Sequence, residues 1–135
     1  MSDRLASRQL LYNAMSEAEL FENVSAYCDQ GGWWMYHTHD SRKSTPGWPD
    51  VVALRSGCMI VAELKRQREQ PTTDQTRVIG LLRDVVDQVR GLARLAGIGA
   101  GTLDLPVQVF VWRPSDLPDI QQILLSPPHR WASPG

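Results

Sequence analysis

Long apolar runs are missing from this 135-residue sequence; no stretch of 18 or more apolar residues occurs, which argues against a membrane-spanning helix. The N-terminal segment MSDRLASRQL lacks the apolar core of a secretory signal, so the expected location is the cytoplasm. Cysteine is scarce, and Cys28 and Cys58 are expected as reduced, buried thiols. Histidine is scarce too. His37, His39 and His129 stand at none of the paired spacings of a zinc site. An excess of one charge is also absent: 14 Lys+Arg face 15 Asp+Glu, for a net charge of −1. That total argues against a histone-like or tail-driven nucleic-acid binder, which is visibly basic. Internal repeats are lacking. The 42% hydrophobic content and 21% charged content fit one globular domain with a real core.

What is present has a clear order. Residues 1–15 carry no strong pattern and read as an arm or a short helix. Ser16-Glu17-Ala18-Glu19 is a capping box, and Leu20, Phe21, Val24, Tyr27 and Cys28 follow at helical spacing until Gly31-Gly32. The aromatic run Trp33–Thr38 reads as a strand, and Asp40–Gly47 as a loop. Val51–Leu54 and Cys58–Leu64 flank Ser56-Gly57 as the arms of a hairpin. Thr72 or Thr73 caps a second helix with the stripe Val78, Ile79, Leu82, Val85, Val86 and Val89. A loop over 97–102 and a strand over Val107–Trp112 follow. A last helix runs to about Leu125 with Ser115 as its cap. The expected class is α/β, with a mixed central sheet flanked by helices.

The hairpin places charge where it is least comfortable. A two-residue turn sets Arg55 opposite Cys58, so Asp50 falls opposite Glu63, with Cβ atoms about 4.5–5.5 Å apart. Alternation puts Asp50, Glu63 and Lys65 on one face. Two carboxylates beside a lysine are hard ligands for Mg²⁺ or Mn²⁺. The competing reading is a turn aspartate after Pro49 with ordinary surface pairs at Glu63 and Lys65. Glu17 shares the inward stripe of the first helix and Gln75 that of the second. Glu17 there needs a metal, a water shell or Lys65 as partner, or is simply a first-turn glutamate favoured by the helix dipole. Gln75 positions a water or phosphate, or is a first-turn polar residue.

Trp48-Pro49-Asp50 followed by Glu63-Leu64-Lys65 resembles the PD-(D/E)xK nuclease signature. The combination with Ser16-Glu17-Ala18, Tyr36-His37-Thr38, Asp40-Ser41-Arg42, Gln75 and Val111-Trp112-Arg113-Pro114-Ser115-Asp116 is similar to the small phage-type VRR-NUC domain of that superfamily, over about residues 16–125. The resemblance implies a restriction-endonuclease-like mixed sheet related to Holliday-junction resolvases, with a nuclease domain over 16–125, an arm over 1–15 and a tail over 126–135. The activity it implies is metal-dependent cleavage of DNA phosphodiesters, with branched DNA as favoured substrate and Mg²⁺ or Mn²⁺ as cofactor. Asp50 and Glu63 are then metal ligands, joined by the Leu64 carbonyl and Glu17. Lys65 is the catalytic lysine and Gln75 the helix glutamine. The implied DNA contacts are His37, Asp40, Ser41, Arg42, Lys43, Arg66 and Arg68, although an ordinary solvated loop also accounts for Arg42 and Lys43.

Two segments depart from the family. Arg90–Pro106 is longer than usual, and Arg66–Pro71 lacks the glycine often found after the lysine. Symmetric cleavage of a junction implies a homodimer. The rival readings are a nuclease for unbranched duplex, a DNA-binding module without catalysis, and a fortuitous likeness. By region, residues 37–68 hold 6 basic and 3 acidic residues against a net −3 in residues 1–36. The near-neutral total thus averages over a basic segment, and binding is expected to be local and salt-sensitive.

Overall fold

The computed structural model describes residues 3–38, 43, 45–97 and 106–127. The segment 1–15 is ordered into helix α1 (Asp3–Ala14), which buries none of its side chains and rests against the turn that follows the last strand. Helix α2 (Glu17–Gln30) starts at the expected capping box. The Ser16 hydroxyl accepts from Glu19 N–H, and the Glu19 carboxylate accepts from Ser16 N–H. Strand β1 (Trp34–His37) leads to strands β2 (Val51–Arg55) and β3 (Cys58–Leu64). Ser56 and Gly57 both have positive φ, 49° and 81°, as a two-residue hairpin turn of the twist-matched type requires. Arg55 pairs with Cys58 and Val51 with Ala62, the expected register.

Helix α3 (Thr73–Leu95) then crosses to strand β4 (Val107–Trp112), which lies parallel to β3. Among the described residues the sheet order is β1-β2-β3-β4, antiparallel except for the last pair. A 3-10 turn (Pro114–Asp116) leads into helix α4 (Leu117–Leu125). This mixed sheet between helices is the α/β class expected, and it is compatible with the restriction-endonuclease-like layout.

Alternation along the strands divides the core. Val51, Ala53, Ile60, Ala62, Leu64 and Trp112 face α2 and α4, where Leu20, Val24, Cys28, Ile120 and Leu124 complete one cluster. Arg55 locks the rim of this side. Its guanidinium lies 4.3 Å from the Trp33 ring centroid and donates to the carbonyls of Gly31, Leu124 and Ser126. It therefore ties the C-terminal ends of α2 and α4 to the sheet. Burial pushes the Cys28 thiol up to about 11, so it is an inert core group. No disulfide links Cys28 and Cys58, as expected.

The other face carries Val52, Val61 and Glu63, covered in part by α3 through Ile79, Val86 and Ala93. One flank of α3, with Arg83, Asp87 and Arg90, borders β4. Val78, on the opposite flank, packs against Gly47 just before β2. That flank carries the exposed Leu81, Val85 and Leu92, and the sheet face toward α3 exposes Trp34, Tyr36 and Leu54, which share that face through the pairing of Trp34 with Leu54 and Tyr36 with Val52. No helix among the described residues is long and apolar enough to cross a membrane.

Three expectations change. Ser115 is not the cap of the last helix; its hydroxyl accepts from Gln67 Nε2, and the Asp116 carboxylate accepts from Arg113 N–H. Cys58, expected as a buried thiol, is only partly buried. Val85, expected in the buried stripe, is half exposed. The rest of the expected 97–102 loop and nearly all of the 126–135 tail lie outside the described residues.

Candidate active site

The site forms where β2 begins and β3 ends. Pro49 is buried, and Thr38 holds the chain on either side of it: its N–H donates to the Asp50 carbonyl at 2.9 Å and its hydroxyl to the Pro49 carbonyl at 3.2 Å. Gly47, at φ +93°, lies directly against the Asp74 carbonyl, so a Cβ at this position has no room. These contacts aim the Asp50 carboxylate across the hairpin, where Oδ2 accepts from Leu64 N–H at 2.8 Å. Leu64 thus enters the site through its amide.

Glu63 is 1% exposed and Lys65 5% exposed. The Glu63 carboxylate accepts from Gln75 Nε2 at 2.9 Å through Oε1, and the same oxygen stands 3.7 Å from Lys65 Nζ. Its other oxygen, Oε2, is buried and meets no hydrogen-bond donor among the described residues. Burial, then the Asp50 charge and the close approach of the Asp50 carboxyl, push the Glu63 pKa up to about 8, against the opposing pull of Lys65. Two opposed carboxylates, one with an orphaned oxygen, need either a shared proton or a cation.

Gln75 is the polar first-turn residue that the sequence allowed, and it also reaches Glu63. Its Oε1 accepts from Thr72 N–H at 2.8 Å in a capping box that fixes Thr72, not Thr73, as the cap, while its Nε2 reaches Glu63. One amide therefore starts α3 and orients a buried carboxylate.

Glu17 lies in the electrostatic field of Asp50, Glu63 and Lys65. Its carboxyl is hydrogen-bonded to Glu69. Burial first, then that bond, raise its pKa to about 7, and the partner Glu69 is held below the usual carboxylate range. Consistent with this diversion, no three His, Cys, Asp or Glu side chains among the described residues surround a single metal position. The side chains that the hairpin sets against each other are Asp50 and Glu63.

Glu69 is the site residue that sequence reasoning missed. Its Oε1 lies 3.3 Å from Lys65 Nζ, closer than Glu63. The available signal was a carboxylate four residues after the lysine, but that spacing brings side chains together reliably only in a helix, and residues 65–72 are not helical.

Of the expected DNA contacts, Lys43, Arg66 and Arg68 are exposed. Arg66 and Arg68 line an open groove of about 330 Å³ with Asn13, Gln67 and Glu69, beside the lysine. His37 is half-buried, its ring stacked on Phe21 with centroids 3.8 Å apart. Asp40, Ser41 and Arg42 lie outside the described residues.

No protein-family model and no curated protein matches this chain.

Proposed function

We propose that this protein is a divalent-metal-dependent DNA endonuclease of the PD-(D/E)xK type, resembling VRR-NUC nucleases. The observation that carries the reading is the part-buried Asp50 carboxylate set against the buried Glu63, whose Oε2 meets no donor among the described residues, next to Lys65. Two carboxylates so opposed repel unless a proton or a cation lies between them, and of these a cation gives the adjacent Lys65 a chemical use. Mg²⁺ or Mn²⁺ fits this hard oxygen set. Asp50 and Glu63 would hold it, with the Leu64 carbonyl, and Glu17 would join once its carboxyl leaves Glu69.

When bound, such an ion supplies a Lewis acid for a phosphoryl oxygen and lowers the pKa of its water. Lys65 Nζ orients the attacking water and donates to the oxygen on which negative charge develops. Gln75 keeps Glu63 in the rotamer that points Oε2 inward. The exposed Arg66 and Arg68 groove and Lys43 receive the phosphate backbone, so affinity falls steeply with salt.

Branched DNA is the proposed substrate, cut in the cytoplasm by a homodimer. The exposed side chains of Trp34, Tyr36 and Leu54 on the sheet, with Leu81 and Val85 on α3, are the surface we assign to the second copy, because large exposed apolar side chains clustered on an element face mark protein contacts.

The test is cleavage of labelled four-way junction, flap, fork and linear duplex with Mg²⁺, with Mn²⁺ and with EDTA. Metal-dependent cleavage preferring branched DNA is expected. Lys65→Ala abolishes cleavage and keeps metal binding. Cleavage in EDTA, or full activity of Lys65→Ala, refutes the mechanism. Equal rates on linear duplex favour a processing-type enzyme, and binding without cleavage favours a non-catalytic module.

A further inference from the structure

We infer that Glu69 is the positioning residue of Lys65, held in place by Arg113 and by a Gln67–Ser115 pair; the inference rests on the nuclease reading of Lys65. A lysine ammonium at the end of four rotatable carbons has no fixed place of its own. The Lys65 backbone is anchored, its N–H donating to the Trp112 carbonyl at 3.0 Å. Its ammonium is placed by two carboxylates: Glu69 at 3.3 Å and Glu63 at 3.7 Å. Only the Glu69 contact is within hydrogen-bond reach. Without it, the sole carboxylate within ion-pair distance among the described residues is Glu63, and the ammonium closes on the oxygen set meant for the cation.

Glu69 stands in the segment Arg66–Pro71, where the glycine common after the lysine is absent, and side-chain bonds hold this segment instead. The Gln67 amide exchanges two hydrogen bonds with Ser115, Nε2 to Oγ at 2.8 Å and Oε1 from Ser115 N–H at 2.9 Å. Arg113 Nη2 donates to the Glu69 carbonyl at 3.0 Å and to Gln70 Oε1 at 3.3 Å. Arg113 is itself fixed, its N–H donating to the Asp116 carboxylate. A continuous chain of contacts therefore runs from Ser115, Arg113 and Asp116, in the turn after β4, through Gln67 and Glu69 to the ammonium.

Two variants test this, Glu69→Ala and Arg113→Ala, each checked for an unchanged circular-dichroism spectrum. Cleavage kinetics in saturating Mg²⁺ are expected to show about a tenfold fall in kcat with an unchanged KM for DNA. The double variant is expected to be no slower than Glu69→Ala alone, since both break one chain of contacts. An independent readout needs no cleavage. The sequence has two lysines, exposed Lys43 and buried Lys65, so acetylation of each is resolved by peptide mass spectrometry. Glu69→Ala is expected to speed Lys65 labelling about fivefold or more relative to Lys43. Wild-type kcat in Glu69→Ala, a loss confined to KM, or an unchanged labelling ratio overturns the inference. Absence of cleavage by the wild-type protein strikes the nuclease reading, while the labelling ratio still decides the position of Lys65.

Discussion

Asp50 and Glu63 face each other because a hairpin turn dictates it, and their charges make the apo site sensitive to pH. The Glu63 carboxyl is raised from 4.5 to about 8 by burial and the Asp50 charge, and Glu17 from 4.5 to about 7 by burial and Glu69. Both groups bind their proton more tightly folded than unfolded. Their contribution to stability is therefore complete below pH 4.5 and is lost as pH climbs through about 7 and 8. In EDTA, the calorimetric Tm is expected to decline from pH 5 to pH 9. Mg²⁺ is expected to flatten that decline, since the ionised pair then has its counter-charge. Asp50→Asn keeps an acceptor for Leu64 N–H, removes the repulsion, and should both shrink the pH slope and abolish the Mg²⁺ response. A Tm in EDTA that rises over this range would contradict the raised carboxyls.

Elements hold these residues through a few polar contacts placed at element ends. Arg55, at the end of β2, satisfies carbonyls at the close of α2 and α4 while stacked on Trp33. Arg55→Ala should cost about 3 kcal/mol in urea unfolding, because several carbonyls lose a charged donor together. Arg55→Lys should not recover it, as a point charge cannot span carbonyls on two helices. A loss below about 0.5 kcal/mol, typical of a surface site, would refute this role.

The legible part of this architecture was local. Ser56-Gly57 set the hairpin register, and with it the opposition of Asp50 and Glu63, because a two-residue turn leaves no freedom of pairing. Ser16 with Glu19 marked the start of α2 by the same short-range logic. The illegible part depended on distant chain. Ser115 has the chemistry of a cap, but Gln67 takes its hydroxyl. At the end of α3 the large apolar side chains stay exposed, Leu92 at 66% and Leu95 at 87%, and the small Ala93 takes the buried position, so size and burial part company there. Glu69 and Lys65 sit in a loop that bonds to Arg113 and Ser115, 44 and 48 residues away, and sequence spacing alone does not reveal such contacts.

At the scale of the whole molecule, the sheet is covered unevenly. One face is sealed by α2 and α4, whereas α3 leaves the β1–β2 end of the other face open, with Trp34 61%, Tyr36 50% and Val85 51% exposed. If a second copy covers this surface, the wild-type protein sediments as a dimer, and Leu81→Asp with Val85→Asp sediments as a monomer with the wild-type circular-dichroism spectrum. The monomer should still cut a flap but lose paired, symmetric incision of a four-way junction. A monomeric wild-type protein would assign the surface to another partner.

The hairpin has one more consequence, for the order in which the chain acquires its structure. Asp50 and Glu63 lie 13 positions apart, joined by a tight turn, whereas β3 meets β4 only across the whole of α3. Local hairpins close in microseconds, and parallel pairing over a long crossover is far slower. The two carboxylates therefore approach each other early, in water, before α3 delivers Gln75. Protons or divalent ions available at that moment relieve the approach, so the ion proposed for the finished site would also lower the barrier to building it.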